Sequence, residues 1–144
     1  MKIRRTGAAV WHGGLKDGRG AITTQSGALK DYPYGFASRF EGIAGTNPEE
    51  LIGAAHAGCF TMALSKILGE ANLTAERMET KADVTLEQKD GGFEITAIHL
   101  TLRANIPGAD QTRFAELADK AKAGCPVSKL FKASITLDAQ LGTF

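Results

Sequence analysis

The chain has 144 residues, and its 17 basic and 16 acidic side chains leave a net charge of +1. Hydrophobic residues at 43% and charged residues at 23% are those of an ordinary globular protein, which excludes disorder, collagen and coiled coil. A balance this close to neutral also argues against nucleic acid or an anionic membrane as the main partner, because either needs a basic face. Residues 1–144 are expected to form a single domain. A domain of that length hides roughly 68 to 70% of its unfolded surface and needs no disulfide staple. Its two cysteines therefore require another explanation.

Near the amino terminus Lys2, Arg4 and Arg5 are not followed by the apolar run of a signal peptide, so a cytoplasmic protein is expected. Residues 8–12 and 21–25, separated by Gly13-Gly14 and the loop 16–20, predict a hairpin. Asp31, Pro33 and Gly35 supply turn chemistry, and residues 36–40 then predict a third strand. Phe36, Ser38 and Phe40 would lie on one face of it, with Ala37 and Arg39 on the other.

The sharpest boundary is Thr46-Asn47-Pro48-Glu49-Glu50-Leu51. Asn47 suits an N-cap, Pro48 the first helical position, and Glu50 completes a pattern resembling a capping box. The helix is expected to run through Ile52, Ala55, Cys59, Met62 and Leu64 to about Gly69, with apolar residues around most of its circumference. Such a helix predicts burial on nearly every side. Its stretch without Asp, Glu, Lys or Arg, 51–65, is 15 residues, short of the ~18 that mark a membrane span. Gly53, Ala54, Ala57 and Gly58 allow another backbone to approach closely.

Strands over 82–88 and 93–106 flank the turn Lys89-Asp90-Gly91-Gly92. A helix over 111–123, capped by Asp110 and ended by Gly124, follows. Pro126 starts a short turn, and Ala133, Ile135, Leu137, Ala139 and Leu141 alternate as a last strand. Strands grouped on either side of a central helix, rather than alternating with helices, give an α+β class.

Cys59 falls mid-helix, where a free cysteine serves equally as a small core residue. Cys125 sits between a helix end and Pro126, read here as a helix start whose free amides lower a thiol pKa. Reactivity and core filling both remain open for it. The two cysteines are 66 positions apart, and His12, His56 and His99 add no ligand spacing, so no metal site is expected. No phosphate-binding loop, G-x-S-x-G motif or dinucleotide fingerprint is present. His56 precedes Cys59 by three residues, within reach to assist it, or is a core histidine bonded to backbone.

The run Thr46-Asn47-Pro48-Glu49-Glu50-Leu51-Ile52-Gly53-Ala54-Ala55-His56-Ala57-Gly58-Cys59-Phe60, together with Gly124-Cys125-Pro126-Val127-Ser128, resembles the OsmC/Ohr family of osmotically inducible and organic hydroperoxide resistance proteins. The resemblance spans essentially the whole chain. Tyr32-Pro33-Tyr34-Gly35-Phe36, Ser38-Arg39-Phe40-Glu41-Gly42 and Cys125-Pro126-Val127-Ser128 resemble its OsmC branch more than its Ohr branch. Glycine at 58 departs from the alanine more usual in the family. The resemblance implies antiparallel sheets around long central helices in an intertwined homodimer. It also implies a thiol-dependent peroxidase without a bound cofactor. Cys59 would attack the peroxide and become a sulfenic acid, and Cys125 would condense with it to a disulfide. An external dithiol, such as a lipoylated protein, would reduce that bond.

Such chemistry makes demands on the residues. A thiol buried mid-helix gains little from the helix dipole and is raised by desolvation, so it needs a cation. The resemblance assigns Arg39, with Arg19 as the rival; on its own, Arg39 reads as a solvated strand residue. A unit charge ~4 Å from sulfur at an effective dielectric of ~20 is worth about 4 kcal/mol, or roughly 3 pKa units. Glu49 would orient the arginine, although a first-turn carboxylate explains it equally well. Ten residues along one helix put Glu49 about 15 Å from Cys59, so a composite site needs two helices packed antiparallel across a dimer. Phe36, Phe40, Phe60 and Met62 serve either as a hydroperoxide pocket or as core. A non-catalytic redox sensor or apolar-ligand binder on the same fold, and a structural protein with inert thiols, are the competing readings.

Overall fold

Residues 1–130 are described by the computed structural model of the chain, and the strand expected over 133–141 lies outside them. Among the described residues the elements run β1 (Gly7–His12), β2 (Arg19–Thr24), β3 (Tyr32–Tyr34), α1 (Phe36–Phe40), α2 (Pro48–Glu70), β4 (Arg77–Lys89), β5 (Gly92–Asn105) and α3 (Gln111–Gly124). The described chain divides into two compact units, Met1–Ala54 with Asp83–Ile98, and Ala55–Ala82 with the residues from His99 onward.

In the first unit the expected hairpin forms, with β1 antiparallel to β2 and Gly7 opposite Thr24. A short edge strand, β3, adds to β2 with Pro33 opposite Ala21. Proline is tolerated there because an edge strand leaves one side without ladder bonds. The strand expected over 36–40 is instead α1. The Ser38 hydroxyl accepts from the Gly35 N–H at 2.8 Å and lies 3.0 Å from the Thr46 carbonyl, so it closes a helical turn that strand alternation cannot make. Gly45, at φ +139°, passes so close that a Cβ there would meet the Ser38 Cβ at 2.9 Å and the Pro33 carbonyl at 3.0 Å.

The start of α2 follows the sequence. Asn47 Oδ1 accepts from the Glu50 N–H at 2.8 Å, and Glu50 Oε1 accepts from Asn47 Nδ2 at 3.2 Å and Thr46 Oγ1 at 3.1 Å. The helix runs 23 residues, long and apolar enough by composition to cross a membrane. Burial on nearly every side does not hold among the described residues, since only one face is covered. Gly53, His56, Phe60, Leu64 and Leu68 are buried, whereas Ala54, Ala55, Gly58 and Met62 are exposed, Met62 at 76%. Of the small residues that would admit a second backbone, Ala54 and Gly58 lie on the exposed side of the helix.

The core of the second unit joins Phe60, Leu64 and Leu68 of α2 to Leu117 and Ala121 of α3 and to Cys125, with Met78, Leu100 and Leu102 packed on it. β4 and β5 pair as a two-stranded sheet turning at Asp90 and Gly91, both with positive φ, as a tight Asp-Gly hairpin requires. Asp110 caps α3, accepting from the Arg113 N–H at 2.7 Å. These helices bring residues 56–67 and 117–128 together, and the thiols lie there.

Candidate active site

In the first unit Arg39, on α1, meets Glu49, in the first turn of α2. Arg39 Nη2 lies 2.6 Å from Glu49 Oε1, and Nε lies 3.2 and 3.3 Å from the two carboxylate oxygens. The carboxylate side chain is 12% exposed and the arginine 35%. The guanidinium also sits 5.3 Å from the Phe40 ring centroid, which further fixes its plane. The rival Arg19 opens β2 opposite His12, is exposed, and forms no ion pair among the described residues. The helical geometry of 36–40, which sequence alternation missed, is what carries Arg39 to this pairing.

In the second unit Cys59 and Cys125 are free thiols placed against each other. Cys125 is not at a helix start: it closes α3, its N–H bonded to the Ala121 carbonyl at 2.9 Å, and a turn through Pro126 follows. That turn still provides what a helix start would have. The Val127 and Ser128 N–H groups approach the Cys125 sulfur. Burial pushes the Cys125 thiol up, but the Cys59 thiol, the Ser128 N–H and hydroxyl, and the Val127 N–H together bring it below the ordinary value. Cys59 moves the other way. Burial raises it, its hydrogen bond to Cys125 raises it further, and the Val127 N–H opposes both. The two thiols are thus pushed in opposite directions.

A cavity of about 510 Å³ opens beside Cys59, walled by Met62, Ala63, Ile67, Gly124 and Pro126. Lys66, Glu70 and Lys120 give it polar edges, with Lys66 and Glu70 paired at 3.3 Å. Phe60 is core at 3% exposed, while Phe36 and Phe40 stack on each other with centroids 4.9 Å apart in the other unit. Of the four aromatic and methionine candidates, only Met62 lines this cavity. His56 bonds neither backbone nor cysteine; its Nε2 is 2.9 Å from Ser128 Oγ. Sequence reasoning missed this pair, whose one local signal is a serine three residues after Cys125. No cluster of metal-ligating side chains exists among the described residues.

The family model for OsmC-like protein matches residues 40–140. The chain belongs to the OsmC-like family. It is 55% identical over 141 residues to the peroxiredoxin OsmC of Escherichia coli K12, covering 98% of this chain and 99% of that protein. With the organic hydroperoxide resistance protein OhrB of Bacillus subtilis it shares 32% identity over 123 residues, 85% of this chain and 88% of OhrB. The crystal structure of that OhrB superposes with a TM-score of 0.64, at 33% identity over 88% of this chain and 90% of the other. This OsmC-like chain is thus nearer the OsmC branch than the Ohr branch.

Proposed function

We propose that this OsmC-like protein is a thiol-dependent peroxidase that reduces organic hydroperoxides. The observation that carries this reading is the pair of free thiols set against each other, with an apolar cavity opening at Cys59. The names of its relatives, a peroxiredoxin and organic hydroperoxide resistance proteins, point to the same chemistry.

Cys59 attacks the terminal peroxide oxygen, alcohol departs, and a sulfenic acid remains. Cys125 then displaces hydroxide from that sulfur to give a disulfide, which an external dithiol, such as a lipoylated protein, reduces. Arg39 supplies the cation and Glu49 fixes its plane; their bidentate pairing supports that division of labour. Because burial and Cys125 both push the Cys59 thiol up, the attacking step needs this charge. The active form is a cytoplasmic homodimer in which the Arg39–Glu49 pair of one protomer serves Cys59 of the other. Two features support it. One face of α2 is open, and only six hydrophobic residues are fully buried among the described residues of a 144-residue chain.

The test is turnover of an organic hydroperoxide with excess dithiol. Cys59→Ser is expected to abolish consumption, whereas the parental chain turns over many equivalents. Parental consumption by Cys59→Ser refutes the mechanism. A parental chain that is oxidised once and not recycled would instead be a redox sensor.

A further inference from the structure

His56 lies on the buried face of α2 at 6% exposed, and its only side-chain hydrogen bond among the described residues is Nε2 to Ser128 Oγ at 2.9 Å. Its Nδ1 is buried without a partner. If Nδ1 carried the proton, a buried N–H would go unpaired. If Nε2 carries it, only an acceptor lone pair does, and proteins tolerate orphaned acceptors better than orphaned donors. The contact therefore runs from His56 Nε2–H to Ser128 Oγ. A hydroxyl has one proton, and with its oxygen already accepting from His56, Ser128 is left to donate that proton elsewhere. The sulfur of Cys125 is beside it.

Cys125 is 0% exposed, so the charge on its thiolate is stabilised by protein donors rather than by water. Besides the Cys59 thiol, which is consumed in the oxidation, those donors are the Val127 N–H, the Ser128 N–H and the Ser128 hydroxyl. Backbone geometry fixes the first two. The hydroxyl alone rotates, and His56 is the group that sets its direction.

We propose that His56 and Ser128 are a positioning pair for the resolving cysteine, with His56 holding Ser128 Oγ so that the hydroxyl donates to Cys125 Sγ and favours its thiolate. This rests on the reading of Cys59 as attacking thiol and Cys125 as resolving thiol. Cys125 first loses its proton to solvent. Its electron pair then forms the S–S bond as the S–O bond of the Cys59 sulfenic acid breaks, and the hydroxide released takes up a proton from solvent. The sum is thiol plus sulfenic acid to disulfide plus water, with no further oxidant.

The test follows the reduced full chain after one equivalent of tert-butyl hydroperoxide, with dimedone trapping and intact mass separating sulfenic acid from disulfide. Loss of one hydrogen bond to a charged group predicts roughly tenfold slower disulfide formation in Ser128→Ala, with sulfenic acid accumulating. Ser128→Thr, which keeps the hydroxyl, is expected to form disulfide at close to the parental rate. His56→Leu should match Ser128→Ala, and the double variant should be no slower than Ser128→Ala alone, because His56 acts through Ser128. Parental disulfide formation in Ser128→Ala, or effects of the two substitutions that multiply, overturns the pair. Absence of both disulfide and dimedone-trapped Cys59 after peroxide in the parental chain would remove the functional reading and, with it, this inference.

Discussion

Replacing Arg39 with methionine removes the cation while keeping a flexible side chain of comparable reach. Two of the five guanidinium N–H donors, on Nε and Nη2, are committed to Glu49, which leaves three for a thiolate and a peroxide oxygen. A charge ~4 Å from sulfur at an effective dielectric of ~20 contributes about 4 kcal/mol. Losing it raises the Cys59 pKa by roughly 3 units, so kcat/KM at neutral pH should fall about 10³-fold. Lysine at position 39 keeps the charge but loses the fork; it should cost about 10- to 100-fold, the worth of one or two charged hydrogen bonds.

The assay is steady-state consumption of tert-butyl hydroperoxide across pH, with thermal unfolding as the control. The Arg39–Glu49 pair is partly exposed, so its loss should cost about 1 kcal/mol or less, a shift of about 4 °C in Tm. The pH profile carries the sign. With the cation gone, burial and Cys125 push Cys59 up against the Val127 N–H alone, and lost activity should return as pH rises toward that raised pKa. Parental kcat/KM in Arg39→Met would refute the assignment of the cation.

Cys125→Ser should still consume the first equivalent of peroxide but form no disulfide; intact mass should then show oxidation of Cys59 to sulfinic acid in excess peroxide. Mixing Arg39→Met with Cys59→Ser chains should restore roughly a quarter of parental activity, because half the dimers are hybrids with one complete site of two; no recovery would mean that each chain builds its own site.

The start of α2 was legible because cap, proline and acidic first turn all act within six residues. The Asp90-Gly91 turn was legible for the same local reason. Residues 36–40 were not, because five residues alternate in hydrophobicity almost as well over one helical turn as along a strand, and Ser38 decides the matter by folding back on Gly35. Pro33 concealed β3, since proline argues against a strand except at an edge. The pairing of Arg39 with Glu49 spans ten residues and two elements, so no periodicity reveals it; the family resemblance carried it. The contact of His56 with Ser128 spans 72 residues and had no such guide. Burial of α2 was overestimated for a different reason. Hydrophobicity records every surface a helix covers in its working state, a second chain included, whereas packing within one chain covers one face.

The opposite shifts of the two thiols then acquire a meaning. A resolving thiol has to be ionised after the sulfenic acid forms, whatever else is bound, and Cys125 gets its donors from its own turn and from Cys59, all within one unit of one chain. The attacking thiol faces the opposite demand. A Cys59 thiolate exposed to any oxidant while unpartnered would invite irreversible overoxidation. Burial and the hydrogen bond to Cys125 hold Cys59 as a thiol by default. If the Arg39–Glu49 pair reaches it only from a second protomer, ionisation of the nucleophile becomes a consequence of assembly. Diluting the protein below its dimer dissociation constant should then shift Cys59 alkylation to higher pH. A Cys59 profile that does not move on dilution would place the activating charge within the chain.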